Sequence, residues 1–257
     1  MDSPRLKSLL CALAACTLWA APASSQAATV LYSTDFNAPT YSNIALAGQD
    51  GWSAISGAGT NSPVVSNSAT DGTISLTTSG EDLRHTFTPA VTSGSIYMLA
   101  EITVGSAQAT GDYFLHLGDG GANNFYARTF IKSSGAGFVM ALGTGSGAVT
   151  YGTTVLSFGQ SYSILVRYDV VSGTGNDTGA LFINPTTEDG TGDTAYVAAT
   201  TIGTDATSLA SVHFRQGAAG SAAGLTVDSV SVYVVPEPAT ALLGGIGLLA
   251  LLRRRRR

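Results

Sequence analysis

Short runs of Val, Ile, Leu, Thr, Tyr and Phe alternate with clusters of Gly, Ser, Asn, Asp and Thr throughout positions 28–235. Such runs, bounded by turn-forming clusters, are typical of β-strands, and no segment of this region has the 3.6-residue period of an amphipathic helix. The pattern predicts eleven strands, at 30–35, 73–78, 84–87, 95–104, 112–117, 125–132, 137–142, 161–171, 180–183, 209–215 and 224–235.

Two of these strands alternate between apolar and polar positions. The alternation over 225–234 has one offset at Asp228-Ser229, as a β-bulge produces. The segment 162–169 also has the pattern of a half-buried strand. Many short strands separated by turns predict an all-β domain over residues 28–235, a two-sheet antiparallel β-sandwich of the jelly-roll type.

The pattern changes abruptly after Val235. Proline fixes φ and removes a backbone donor, so Pro236-Glu237-Pro238 is expected to be extended. Residues 239–252 are apolar except for Thr240 and would form a helix of roughly 21 Å, shorter than the ~30 Å hydrocarbon core. We expect this short transmembrane helix to anchor the chain transiently in the inner membrane. The positive-inside rule assigns a stop-transfer role to the five residues that follow, Arg253, Arg254, Arg255, Arg256 and Arg257.

The order of these three parts (Pro236-Glu237-Pro238, the apolar segment and the arginines) resembles the PEP-CTERM sorting signal of Gram-negative bacteria. The resemblance implies that residues 236–257 are a sorting signal and that the processing partner is an exosortase. It also implies delivery to the outer surface or the extracellular matrix. Whether the tail is removed or kept as an anchor stays open.

The beginning of the chain has the features of a secretory signal. Arg5 and Lys7 precede an apolar run at 9–21 and the small residues Ser25-Gln26-Ala27. Residues 1–27 are therefore predicted to be a helical signal peptide, handled by the Sec translocon and a signal peptidase.

Both cysteines of the chain lie in this predicted signal peptide. Leu13-Ala14-Ala15-Cys16 resembles a lipoprotein signal, but the apolar run continues beyond Cys16, which argues against lipid attachment. Because Cys11 and Cys16 both lie in the signal, the mature domain has no disulfide and depends on its core for stability.

Without the two predicted targeting segments, the net charge of the chain is more negative. The whole chain has a net charge of −5, but residues 28–235 contain fifteen acidic and five basic residues, a net charge of −10. Nucleic acid and anionic membrane surfaces would repel this domain, so no nucleic-acid partner is predicted. The charge suits a soluble extracellular module, or one that gathers divalent cations.

A second resemblance extends over most of the domain. The segments 32–37, 46–52, 114–120, 124–128, 182–185 and 227–232 are similar to concanavalin A-like and laminin G-like jelly rolls. The resemblance implies two packed antiparallel sheets, with the first and last strands close together.

No catalytic motif is present. His85, His116 and His213 are far apart in sequence and lie in predicted strands, and the domain contains three glutamates. The sequence has no Gly-x-Ser-x-Gly elbow, zinc-binding His-Glu-x-x-His or P-loop. We therefore expect that the protein is not an enzyme. Each histidine is expected to be a residue of a sheet whose polar atoms interact with a neighbouring residue.

Calcium is the one cofactor that the sequence suggests. Asp189 and Asp193 lie in a glycine-containing loop with hard oxygen ligands, although such loops often only turn the chain. Asp35 and Asp228 would come close together if the terminal strands pair.

Glycan binding is the other candidate chemistry. Trp52, Tyr126 and Arg128 are candidate contacts to a sugar, and Tyr113 and Phe125 could share their sheet face. The alternative is that these aromatics, Trp52 above all, pack in the core.

The Gly-, Ser-, Thr- and Ala-rich composition favours a secreted, non-catalytic structural or adhesive component with extracellular polysaccharide as a partner. The alternative is a carbohydrate-binding module or a glycan-active enzyme of the concanavalin A-like fold.

Overall fold

The structure is a computed structural model that describes residues 27–143, 149–201, 204–217 and 223–236. The predicted signal helix and the predicted membrane helix at 239–252 lie outside these residues. Within them, no helix is long and apolar enough to span a membrane.

The described residues form fifteen strands. In chain order they are β1 (Thr29–Thr34), β2 (Ser53–Ser56), β3 (Val64–Asn67), β4 (Gly72–Leu76), β5 (Asp82–Val91), β6 (Gly94–Ser106), β7 (Asp112–Gly118), β8 (Phe125–Ser134), β9 (Gly137–Gly143), β10 (Thr150–Tyr151), β11 (Ser161–Val170), β12 (Thr178–Ile183), β13 (Val197–Thr201), β14 (Leu209–Phe214) and β15 (Gly224–Val234).

These strands form two antiparallel sheets. The larger sheet has the order β13-β12-β11-β6-β15-β4-β3, with β1 paired to β15 beyond the end of β4. The smaller sheet has the order β10-β9-β8-β7-β14-β5-β2. The predicted all-β, two-sheet sandwich is confirmed.

All eleven predicted strands are present, although their ends shift by up to four residues. The sequence pattern missed β2, β3, β10 and β13, which are two to five residues long. Strands this short carry too few alternating positions for a period of two to be recognised.

The last strand has a central place in the larger sheet. β15 pairs with β6 along its whole length, and its other edge is shared by β4 and then β1. The expected proximity of the first and last strands is confirmed, with Thr34 opposite Val230. The expected bulge is also confirmed, since the register with β6 shifts between Val227 and Ser229.

The core lies between the two sheets. Alternate residues of each strand point inward, so that Val227, Val230 and Val232 of β15 are fully buried. They belong to one large cluster of buried side chains to which both sheets contribute. Burial of each such side chain contributes about 1.5–3 kcal/mol, which lets the domain form without disulfides.

A buried carboxylate joins two loops beside this core. Asp177, in the turn before β12, has no exposed surface. It accepts hydrogen bonds from the Tyr168 hydroxyl (2.7 Å) and from the backbone amides of Val171 (2.7 Å) and Ala206 (2.9 Å). These three donors offset the cost of removing a carboxylate from water. The turn between β11 and β12 is thereby fixed to the segment before β14.

Candidate functional site

Four basic side chains lie on the outer face of the smaller sheet. β8 shows how the strand period places them: Thr129 and Ile131 are fully buried, whereas Arg128 and Lys132 point away from the core and are partly exposed. β5 and the end of β14 add Arg84 and Arg215 to the same side. We call this surface the basic face and define it as Arg84, Tyr113, Arg128, Phe130, Lys132 and Arg215.

Tyr113 of β7 is the centre of the basic face. The Cζ atoms of Arg215 and Arg128 lie over its ring, 4.2 and 4.9 Å from the ring centre. Arg128 also lies 5.1 Å from the centre of the Phe130 ring. Contacts of this kind between a cation and an aromatic face contribute about 0.5–2 kcal/mol each. They fix the positions of both guanidinium groups above the sheet.

The two arginines around Tyr113 differ in how their charge is balanced. Arg215 Nη1 lies 2.7 Å from Asp112 Oδ1, and its Nε lies 3.9 Å from Asp82 Oδ2. Burial lowers the pKa of Arg215, but the hydrogen bond to Asp112 and the charge interactions with Tyr113, Asp112 and Asp82 together outweigh it, and the net pKa is raised. The charge of Arg215 is thus matched within the protein.

Burial has the larger effect on the pKa of Arg128. Burial lowers its pKa, Tyr113 and Asp112 offset part of that effect, and Arg215 adds to it. The pKa of Arg128 therefore stays below its usual value, with burial as the largest cause.

Arg84, on β5, lies on the opposite side of the basic face from Arg128, on β8. It donates from Nη1 to the carbonyl of Gly120 (2.5 Å), in the loop between β7 and β8. Its Nε is buried and has no hydrogen-bond partner within the described ranges. Asp119, in the same loop, is the carboxylate that interacts with it electrostatically.

Two histidines lie beneath these cations. His116 of β7 and His213 of β14 are opposite each other in register, and their rings stack with centres 4.3 Å apart. His116 Nδ1 donates to the Leu117 carbonyl (2.9 Å), and His213 Nε2 forms a 2.7 Å hydrogen bond with Ser211 Oγ. Arg84 is opposite His213 on the next strand. No sequence pattern indicated that these residues meet.

Burial keeps both histidines uncharged. It lowers the pKa of His116 to about 3, helped by Arg128 and Arg215 and opposed by the Leu117 carbonyl. Burial also lowers the pKa of His213 to about 2, helped by His116 and Arg84. A base this weak cannot take up a proton effectively at neutral pH.

The structure corrects the expectation that Trp52 contacts a sugar. Its side chain is 1% exposed, stacks on Phe214 at 4.9 Å and donates its indole N–H to the Tyr32 hydroxyl (3.0 Å). Tyr32 in turn stacks on His85 at 3.7 Å. Trp52 is a core residue, the alternative that the sequence had left open.

Tyr126 is also a core residue, 8% exposed and edge-to-face with Tyr168. Ala127 has φ of 50°, which interrupts the alternation of β8. In a regular strand, residues three positions apart point to opposite faces. Here Phe125 and Arg128 both point outward. Phe125 lies 4.8 Å from His116, at the edge of the basic face.

Of the three candidate sugar contacts named from sequence, Arg128 is thus the one that lies on an outer face. Tyr113 and Phe125, considered with it, lie there too.

The structure shows the surroundings of the four aspartates suggested for calcium, the loop pair Asp189 and Asp193 and the strand pair Asp35 and Asp228. Asp193 accepts hydrogen bonds from Thr186, and Asp189 accepts from Thr191, so both carboxylates hold their own loop together. Asp35 accepts from Asn37. Burial, with repulsion from Glu101 and Asp71, raises the pKa of Asp228. Within the described part of the chain, no group of three or more His, Cys, Asp or Glu side chains is placed to hold a metal ion.

Sequence reasoning missed Arg84 and Arg215 as members of a site. Arg84 directly follows the buried Leu83 and Arg215 directly follows the buried Phe214, so the alternation of strand faces would have placed both on the outside. What the sequence could not supply is the order of strands that brings β5, β14, β7 and β8 together.

Comparison with solved structures finds similarities of shape at low identity. The CBM2 module of the evolved Dit protein of Lactobacillus casei BL23 phage J-1 is 11% identical, with a TM-score of 0.47, over 81% of this chain and 96% of that one. A glycosyl hydrolase family protein from Mycobacterium fortuitum is 12% identical, with a TM-score of 0.45, over 79% and 99%. The carbohydrate-binding module CBM66 from Bacillus subtilis is 12% identical, with a TM-score of 0.41, over 76% and 100%.

No curated protein matches the chain. Residues 234–257, however, match the family model of the PEP-CTERM protein-sorting motif. The match begins at Val234, the last residue of β15. This motif implies export, an exosortase as the processing partner and membrane-associated processing in a Gram-negative bacterium. The chain therefore carries a PEP-CTERM protein-sorting motif that follows the last strand of a two-sheet β-sandwich without a linker.

Proposed function

We propose that this protein is an exported, non-catalytic adhesive component of the cell surface or extracellular matrix, and that its domain holds polysaccharide on the basic face. One observation carries the proposal. Four of the five basic residues of an acidic domain lie on one sheet face, and three of them lie over the rings of Tyr113, Phe130 and Tyr151.

The chemistry of these side chains suits a sugar polymer. Aromatic rings offer flat apolar surface to the faces of sugar rings, and guanidinium groups donate several hydrogen bonds in a fixed geometry. Phe125, Arg128 and Lys132 are partly exposed, so a chain laid along β8 would reach them in turn.

The lowered pKa values of His116 and His213 support a role without catalysis. The general acid or base of an enzyme has a pKa near the working pH, whereas burial lowers the pKa of His116 to about 3. Asp82 and Asp112, the carboxylates nearest to Tyr113, are both engaged by Arg215. We therefore propose no glycan-cleaving activity.

The last strand supports the proposed delivery route. Tyr233 stacks on Tyr97 at 5.7 Å and donates its hydroxyl to the Glu188 carbonyl (2.7 Å), which fixes the strand up to the motif. We propose that the segment 239–252 and the terminal arginines hold the exported domain at the inner membrane until the exosortase acts near Pro236.

Retention of the protein in an affinity gel containing polysaccharide tests the adhesive role. We expect the mature protein to be retarded, and Tyr113→Ala to weaken that retention by about tenfold because the ring that positions Arg128 and Arg215 is lost. Tyr97→Ala is the matched control: Tyr97 is 7% exposed, against 9% for Tyr113, but lies on the outer face of the other sheet.

The control should leave retention within twofold of the parent. Equal loss in both variants, or a parent that no polysaccharide retards, would contradict the proposed adhesion. Release of new chain ends from the polysaccharide would contradict its non-catalytic part.

Replacing Pro236, Glu237 and Pro238 by alanine tests the delivery route. In a Gram-negative host that contains an exosortase, full-length protein should accumulate in the membrane fraction, since the extended recognition segment is lost. The C-terminal mass of protein from the envelope and the medium measures the effect. Thr240→Ala, which keeps the tripeptide, should be processed like the parent, and identical processing of all three proteins would disprove the route.

A further inference from the structure

We infer that the loop between β12 and β13 controls how fast the exosortase processes this protein, because the loop restrains the residues that lead into the sorting motif. The inference rests on the delivery route proposed above and names the part of the domain that regulates it. We call residues 184–196 the covering loop.

The outer face of the larger sheet changes from polar to aromatic where β15 ends. The outward-pointing Ser229 and Ser231 of β15 are partly exposed, whereas Tyr233, the next residue on this face, is 5% exposed. Tyr233 belongs to a second cluster of buried side chains, together with Tyr97, Leu165, Ala180 and Phe182. Val235, the residue before Pro236, packs against the same cluster. The residues that lead into the motif are therefore part of a small outer core.

The covering loop lies over this outer core. The Tyr233 hydroxyl donates to the Glu188 carbonyl (2.7 Å). The backbone of Gly190 lies on the ring of Phe182, since a Cβ at this position would be 2.8 Å from the ring atom Cζ. Ala195 also packs against the cluster. The loop thus reaches from β12, across β11 and β6, to the last strand.

Hydrogen bonds fix the shape of the covering loop. The Asp193 carboxylate accepts from the backbone amide (2.9 Å) and the hydroxyl (2.7 Å) of Thr186. At the two ends of the loop, the backbone amide of Asn184 donates to β11 and that of Tyr196 donates to β12. Because the loop is ordered by its own bonds, its contact with Tyr233 requires little further loss of conformational entropy.

Processing requires the segment that the covering loop restrains. A peptide that is recognised in extended form pairs its backbone with the partner, so its own backbone groups must be free. Val234 is paired on both sides, with Thr29 of β1 and Ile96 of β6. The residues before Pro236 can therefore enter an active-site groove only after the end of β15 has left the sheet.

The covering loop raises the cost of that release. A strand end can open locally while the domain stays folded, and cleavage that is slower than reclosing follows the population of the open form. The hydrogen bond from Tyr233 to Glu188 must break in the open form, and the contact of Gly190 with Phe182 holds its acceptor in place. Weakening either contact raises the open population and shortens the time that the domain stays attached to the membrane.

Pulse-chase labelling of the full-length protein in a Gram-negative host that contains an exosortase tests the inference, with the rate of C-terminal processing as the readout. We expect Tyr233→Phe, which loses the hydroxyl and keeps the ring, to be processed about fivefold faster than the parent. Tyr97→Phe is the matched control, because its ring stacks on Tyr233 but its hydroxyl bonds to Ser95 of its own strand. Its rate should stay within about twofold of the parent.

Two glycine variants test the covering loop itself. Gly190 and Gly192 have φ of 70° and 85°, so alanine strains the backbone at both positions. At Gly190 the added methyl also meets the Phe182 ring, whereas at Gly192 it would have no neighbour within 4 Å in the described part of the chain, apart from the residues next to it. We expect Gly190→Ala to be processed about threefold faster than Gly192→Ala, because the methyl lifts the loop from the ring.

Two further proteins separate release of the strand end from a general loss of stability. Trp52→Phe weakens the core between the sheets and should be processed within about twofold of the parent, because it leaves the outer core intact. Insertion of Gly-Ser-Gly-Ser after Val235 supplies a flexible segment ahead of the motif. The insertion protein should be processed faster than the parent, and adding Tyr233→Phe to it should have no effect.

The outcomes separate this inference from the proposed route. Processing of Tyr233→Phe at the parent's rate, equal rates for the two glycine variants, or an effect of Tyr233→Phe that persists in the insertion protein would overturn control by the covering loop and leave the delivery route in place. Equally fast processing of Trp52→Phe would assign the effect to general instability and would also overturn it. If the parent is not processed, the delivery route fails and the inference fails with it.

Discussion

Replacing Trp52 by alanine is expected to lower the free energy of unfolding by about 3–5 kcal/mol. The indole is 1% exposed, stacks on Phe214 and donates its N–H to the Tyr32 hydroxyl. Alanine leaves a cavity against Phe214 and removes the donor to Tyr32. Urea denaturation followed by circular dichroism measures the loss.

The same residue separates a core role from a sugar contact. Trp52→Phe keeps most of the volume and should cost about 1–2 kcal/mol, with polysaccharide retention unchanged when the protein is folded. If Trp52→Phe folds like the parent but is no longer retained, Trp52 is a binding residue and its core role is wrong. A loss of stability below 1 kcal/mol for Trp52→Ala would contradict the packing described above.

Lowering the pH from 7 to 5 is expected to remove on the order of 3–4 kcal/mol of stability through His116 and His213 alone. Their pKa values lie at about 3 and about 2 in the folded protein, against 6.5 when exposed. Below pH 6.5 the unfolded chain therefore binds two protons that the folded one does not. Stability is fully present above the unfolded pKa and is lost as the pH falls toward the folded values.

Urea denaturation at pH 5, 6, 7 and 8 measures this slope. Between pH 8 and 7 we expect almost no change from these histidines, and below pH 6 the slope should approach about 2.7 kcal/mol per pH unit, the value for two protons. Proton NMR of the folded protein gives an independent check, because the C2–H signals of both rings should not titrate above pH 5. A flat stability profile, or a ring that titrates near 6.5, would contradict their burial.

Much of the fold could be predicted because it depends on local alternation. In β15 the period of two gave both the buried valines and the bulge near Asp228, since the inner and outer faces of a sandwich differ in polarity along each strand. β10 and β13 depend instead on pairing with β9 and β12, so their own sequences carried little signal.

The candidate site was harder to predict, for two physical reasons. Ala127 has a left-handed backbone that puts Tyr126 inside and Arg128 outside, and no alternation pattern reveals such a break. The stacking of His116 on His213 depends on pairing of β7 with β14, which are distant in sequence. Strands this far apart in the chain come together only when the whole domain folds, so local sequence preferences do not reveal that they pair.

The position of β15 also decides how the domain bears tension. Val234 is held between Thr29 of β1 and Ile96 of β6. A pull at Pro236 directed along β15 would load the ladders to β1 and β6 together, so we expect their hydrogen bonds to resist as a group. If the basic face holds a polymer as proposed, a pull on β15 would load an inner strand of the other sheet, and the pairing with β1 and β6 would oppose its removal.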